Sequence, residues 1–418
     1  MTRQEIHERS VRLLDSYRFN QRDRSWIFHP LTLFSGVWAV TVLLYSIRLS
    51  DLLLYTSADA LALVTRLWVP FFCSVFLYLI FFHFSQFAFG AKRVEVRLNF
   101  DLLTMRLRRW FIFWIVMSCV EIVVSGGIPI VWLLQGKSKT YMDFGIPSVH
   151  GFMNSLLLAI AITNAALFGV LRQKRYLLIP AFVLLWSTLA VTRNMMIVIV
   201  LEVSLLILQM QRIRFGTVLR LVGGVAILIL VFGFIGDFRT GSESFRLLAQ
   251  PTKNYPQWLP SGILWGYIYL ATPLNNLVYT AHVTPPLYNP LFPNTLSSLL
   301  PTVLRTMVFG QNSASLGTGT LVTDAFNVST AFAGPFQDFG YIGIFLFSSA
   351  IGAVSAYFWK RTSLRDLLIY TVLAQCLLLT VFYDHFLLLP IITQVVWLAI
   401  FFMPEVRIGK QYPAAIES

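Results

Sequence analysis

The feature that most limits how this chain can fold is a succession of apolar runs, nearly free of charge and each about 17–25 residues long. At about 1.5 Å rise per residue, a helix of that length crosses a hydrocarbon layer of about 30 Å. Spans are read near 31–47, 67–90, 110–134, 149–171, 176–192, 194–211, 217–236, 341–358, 366–383 and 386–403. No two-residue alternation of the kind a membrane barrel needs is visible, and a helix satisfies its own backbone in lipid. The expected fold class is therefore an all-α polytopic integral membrane protein with about ten transmembrane helices. Composition agrees, since 57% of residues are hydrophobic and only 12% charged, against roughly a quarter charged in soluble domains.

A formal net charge of +13 would suggest nucleic acid if it were clustered, but its placement points to topology instead. With the N-terminus inside, 23 basic residues fall on the cytoplasmic side, including Lys92, Arg93, Arg106, Arg172, Arg212 and Lys360. The other side receives nine, namely Arg48, Arg66, Lys137, Lys139, Arg193, Arg239, Arg246, Lys253 and Arg305. This bias is the positive-inside signature and orients the chain with both termini cytoplasmic.

The chain divides into a cytoplasmic arm at 1–30, seven helices over 31–236, a large external loop at 237–340, three helices over 341–403 and a cytoplasmic tail at 404–418. The arm carries six arginines and no apolar core, unlike a cleavable signal peptide. The external loop is too long for a passive connection and too apolar for a loose linker, so it is expected to fold back over the membrane. Its segment 262–281 is either re-entrant or paired with a second dip near 286–301, which would raise the count to twelve.

Cys73, Cys119 and Cys376 lie in apolar runs with no CxxC spacing, so neither a disulfide framework nor a metal centre is expected, and no cofactor motif is found. The GTGT stretch at 317–320 lacks a P-loop lysine and follows no strand. Glu121 and Glu202 fall inside apolar runs, where a helix-to-helix hydrogen bond is the simpler reading and a coupling-ion site the functional one.

Candidate chemistry concentrates on the external side. Arg193, in a turn between spans, joins Arg239, Arg246 and Arg305 on one face, and planar guanidinium groups suit a pyrophosphate at the bilayer surface. A proton-transfer group must come from Asp51, Asp59, Asp143, Asp237, Glu243, Asp324, Asp338, Asp384, His150, His282 or His385. Asp338, Asp324 and His282 are the preferred catalytic candidates. Asp338 sits in FQDFG just before a span, where it would equally cap that helix. Tyr269 and its aromatic neighbours offer faces for sugar stacking, and Asn275 lies in the same YLATPLNN stretch.

The TRN turn holding Arg193, the Arg239 segment opening the loop, and above all NVSTAFAGPFQDFGYIGIFLFSSAIG at 327–352 resemble the Wzy-type oligosaccharide repeat-unit polymerases and the related lipid A core–O-antigen ligases. Asn327, Thr330, Asp338, Gly340 and Gly343 carry the match, while Thr192 and Gly334-Pro335 depart from the family's pattern. The resemblance implies a metal-independent glycosyltransferase at the periplasmic face of a bacterial inner membrane, moving a growing glycan from undecaprenyl pyrophosphate onto a lipid-linked repeat unit. It further implies substrate contacts at Asn327 and Thr330, and a chain-length regulator protein as a partner. An O-antigen ligase and a transporter or flippase are the alternatives.

Overall fold

A computed structural model of the chain describes residues 25–89, 100–210, 216, 223, 242–256, 261–310, 316–323, 326–361 and 363–403. Every regular element among them is helical. Helix α1 (Pro30–Ile47) starts cleanly because His29 accepts a hydrogen bond from the Leu31 amide and Pro30 needs no backbone donor. Helix α2 (Ser57–Phe89) is opened by Thr56 and Asp59, each side chain accepting from the other's backbone amide. There follow α3 (Phe100–Ser125), α4 (Pro129–Leu134), α5 (Val149–Leu171), α6 (Leu178–Leu189) and α7 (Arg193–Met210). Beyond them lie α8 (Ser242–Ala249), α9 (Ser261–Val283), α10 (Pro293–Leu296), α11 (Thr302–Phe309), α12 (Ala333–Lys360), α13 (Leu364–Leu379) and α14 (Leu389–Phe401).

Among the described residues six stretches are long and apolar enough to cross a membrane: Pro30–Ile47, Ser57–Ser85, Phe100–Leu134, Val149–Leu171, Arg193–Met210 and Ala333–Lys360. The protein is thus a multi-pass membrane protein, but with about six such helices rather than ten. Three expected spans correspond to helices α6, α13 and α14 of 12, 16 and 13 residues, about 18–24 Å long at 1.5 Å per residue and short of the hydrocarbon thickness. The expected span 217–236 lies outside the described residues. A twelve-span count finds no support either, because α9 is followed by non-helical chain and the short α10 and α11 instead of a returning helix.

Helices α2 and α12 pack most closely. The Ser348 hydroxyl donates to the Leu67 carbonyl at 2.6 Å, and a Cβ on Gly352 would lie 2.9 Å from the Phe71 carbonyl oxygen. Small residues of this kind let helix backbones meet where lipid supplies no hydrophobic drive between helices. A second group forms around α5, the most buried of the spans, which touches α3, α6, α7 and α14. Helix α13 lies between the groups, contacting α1 and α12 on one side and α7 and α14 on the other.

The region between α8 and α12 is tied down by asparagines of α9. Asn275 accepts from the Tyr45 hydroxyl and the Leu54 amide and donates to the Leu52 carbonyl, pinning α9 to the loop between α1 and α2. Asn276 donates to the Phe326 and Val328 carbonyls and accepts from the Val322 amide. Both side chains are almost fully buried, so these bonds replace water the groups have lost.

Candidate functional site

The short helix α10 borders a narrow recess lined by Asn294, Ser298, Gly317, Gly334, Tyr383 and Asp384. Its wall is built by a break in α12. Phe339 and Gly340 leave helical geometry there, and Gly340 takes φ +60° and ψ −139°, a conformation glycine tolerates best. The break aims Asp338 back at α10, where one carboxylate oxygen accepts from the Asn294 amide and side chain at 3.0 and 2.9 Å. The other accepts from the Thr295 amide at 2.8 Å and hydroxyl at 2.6 Å. Gly334 completes the wall, because any Cβ there would come within 2.6 Å of the Asn294 carbonyl oxygen.

Asp338 is fully buried. The expectation that it would cap the helix following it is corrected, since it lies inside α12 and caps α10, a distant segment. Its four donors occupy the lone pairs a general base would need free.

Asp384 is the carboxyl that faces the recess. It follows the last turn of α13, accepts from the Leu387 amide at 3.2 Å, and is surrounded by protein except toward the opening. Burial pushes it up to about 7, against the backbone amides of Leu387 and Phe386, which pull it down. The adjacent His385 is buried and driven down to about 4 by desolvation, so it stays neutral, with Gln375 3.4 Å from its Nδ1. Tyr383 is raised by burial and by the Asp384 charge, and the Arg305 guanidinium opposes this. Arg305, on α11, holds its buried Nε without a hydrogen-bond partner among the described residues.

A line of stacked rings joins α8 to this recess. Phe245 stacks on Trp265 at 3.8 Å, Trp265 on Tyr269 at 5.4 Å, and Tyr269 on Phe382 at 5.7 Å. Arg246 follows Phe245 and is half-buried. Tyr269 is 37% exposed, and its partner Phe382 is the sequence neighbour of Tyr383 in the recess.

The other sequence candidates are dispersed. Arg193 is exposed at the first position of α7. His282 is exposed on α9, stacked on Tyr55 at 4.4 Å, with Nδ1 2.8 Å from the Val278 carbonyl. Asn275 is spent on the α1–α2 loop, Asn327 is exposed, and Thr330 is buried with its hydroxyl accepting from the Phe332 amide. Arg239 and Asp324 lie outside the described residues. Asp384 was legible only as an acid followed by histidine in a short interruption of two apolar runs.

A second polar cluster joins α3 to α5. His150 Nδ1 lies 3.1 Å from the Glu121 carboxylate, and its Nε2 lies 2.9 Å from the Asn154 amide. Glu121 also accepts from the Ile146 amide. Glu202 accepts from Gln394 at 2.8 Å, linking α7 to α14. Both intramembrane acids thus make helix-to-helix contacts. Among the described residues no group of three or more His, Cys, Asp and Glu side chains could hold a metal ion.

The fold and recess define a multi-pass α-helical membrane protein with a polar crevice beside α10. Comparisons with family models, curated proteins and solved structures find no match.

Proposed function

We propose that the chain is a glycosyltransferase that polymerises lipid-linked oligosaccharide repeat units at the non-cytoplasmic face of a bacterial inner membrane. The observations that carry this reading are Asp384, a carboxyl raised to about 7 in a recess, and Arg305, which acts electrostatically on the adjacent Tyr383 and whose buried Nε has no partner among the described residues. The first suits a proton acceptor and the second an anionic leaving group.

In the reaction the acceptor sugar hydroxyl attacks the anomeric carbon of the donor glycan. A new C–O bond forms as the bond to the isoprenoid diphosphate breaks, and the diphosphate leaves with the electron pair. Arg305 neutralises charge developing on it, and Asp384 takes the hydroxyl proton. Ser298 hydrogen-bonds the sugar, Tyr269 lies beside a neighbouring ring, and Arg246 attracts the anionic headgroup. Counted over the ten spans read from the sequence, the charge bias of the loops supports an orientation with both termini cytoplasmic.

The acceptor separates this reading from a ligase, which would use the same donor. Deleting the gene tests it: a polymerase defect leaves single repeat units on the surface lipid, whereas a ligase defect leaves none.

A further inference from the structure

Arg66 stands where a lone cation is poorly served. It lies nine residues into α2, about 13 Å along the axis, within the stretch Ser57–Ser85 that is long and apolar enough to cross a membrane, whereas the sequence places it just outside a span at 67–90, and it is exposed. Its guanidinium carbon sits 3.9 Å from the ring centroid of Tyr341 on α12. Among the described residues it has no hydrogen bond and no carboxylate partner. One helical turn along, Val69 on α2 and Phe345 on α12 are exposed and apolar.

A guanidinium on an apolar, bilayer-facing surface has little water to solvate it, and a ring face satisfies only its π side. Its N–H donors remain for an anion, and the anions a bilayer offers are phosphates, which a guanidinium binds bidentately. The position also connects to the recess. Tyr341 packs edge-on against Phe336 at 5.4 Å, and the preceding Pro335 lines the recess that holds Asp384. The outer and inner faces of one stretch of α12 therefore carry the cation and the crevice.

We propose that Arg66, backed by Tyr341, docks the diphosphate headgroup of an isoprenoid lipid arriving laterally from the bilayer between α2 and α12. This rests on the transferase reading for the identity of the lipid. It extends that reading by placing the entry of the carrier on the membrane-facing side of the α12 break, apart from the arginines of the loop.

The test uses the full chain in phosphatidylcholine nanodiscs, with farnesyl diphosphate as probe and inorganic diphosphate and phosphatidylglycerol as competitors. Arg66→Gln is expected to weaken farnesyl diphosphate binding by about tenfold, Arg66→Lys and Tyr341→Leu by about threefold, and Tyr341→Phe not at all, since the ring is kept. Inorganic diphosphate and phosphatidylglycerol are expected to compete poorly. Unchanged binding by Arg66→Gln overturns the proposal, as does displacement by phosphatidylglycerol, which would make bulk phospholipid the occupant. Equal competition by inorganic diphosphate overturns it too, because the isoprenoid would then be irrelevant. If Arg66→Gln loses binding while the wild type elongates no glycan, docking stands and the transferase reading falls. If the wild type elongates and Arg66→Gln keeps its KM for the lipid, docking alone falls.

Discussion

Asp338 and Thr295 are joined twice, through the Thr295 amide at 2.8 Å and its hydroxyl at 2.6 Å, across 43 residues of chain. With the two bonds from Asn294, this clasp fixes α10 against the break in α12 and so shapes the recess beside Asp384.

Replacing Asp338 by Asn puts an amide donor against donors that need an acceptor, in a site closed to water. A loss on the order of 3 kcal/mol is expected from the disrupted set of four hydrogen bonds. Thermal unfolding in detergent should show a lower Tm together with lost activity. A catalytic role for Asp338 would instead abolish activity with Tm intact.

Asp384 gives activity a pH dependence with a definite sign. A proton acceptor raised to about 7 works when ionised, so the rate rises with pH and levels above neutrality. Asp384→Asn should lose the transfer step and its pH limb together. Stability runs the opposite way. The unfolded carboxyl titrates near 3.9, so between about 4 and 7 the folded state holds the extra proton and stability falls as pH rises. Asp384→Asn removes this slope, and its Tm relative to wild type should climb across that window and stay level above it.

His385 acts in the acid range. Its folded value of about 4 lies below the unfolded value of about 6.5, so the stability it confers is complete above the unfolded value and is lost as pH falls toward 4. The cost should approach about 1.4 kcal/mol per pH unit between those values. Urea unfolding at pH 7 and pH 5 checks this, with His385→Gln showing a smaller drop between the two.

Gly340 holds the break that aims Asp338. Alanine there would have to adopt φ +60°, with its Cβ 2.9 Å from Pro286 Cγ. Gly340→Ala should cost about 1–3 kcal/mol and weaken glycan binding in the recess, measured as a rise in KM.

Much of the membrane architecture is written in local composition. The apolar runs and the His29-Pro30 start mark α1, and the Thr56–Asp59 pair marks α2. Hydropathy overcounts crossings because it cannot tell lipid from protein as the apolar surroundings. Helix α13 is as apolar as a span, yet it is short and buried among five other helices. The 327–343 motif is visible in sequence, but the partners of its aspartate are not. Asn294 and Thr295 lie more than 40 residues away, and only the left-handed turn at Gly340 brings the carboxylate to them. Asp384 escapes preference for the same reason, since its burial and its neighbours Asn294, Ser298 and Tyr383 exist only in three dimensions.

The most direct test of the account is elongation in vitro by the purified chain, supplied with lipid-linked repeat units extracted from cells lacking the gene. Wild type should yield a ladder of glycans in whole multiples of the repeat. Asp384→Asn and Arg305→Gln, folded as judged by Tm, should be slower by on the order of 100-fold. A ladder from either variant at the wild-type rate, or none from the wild type itself, would contradict it.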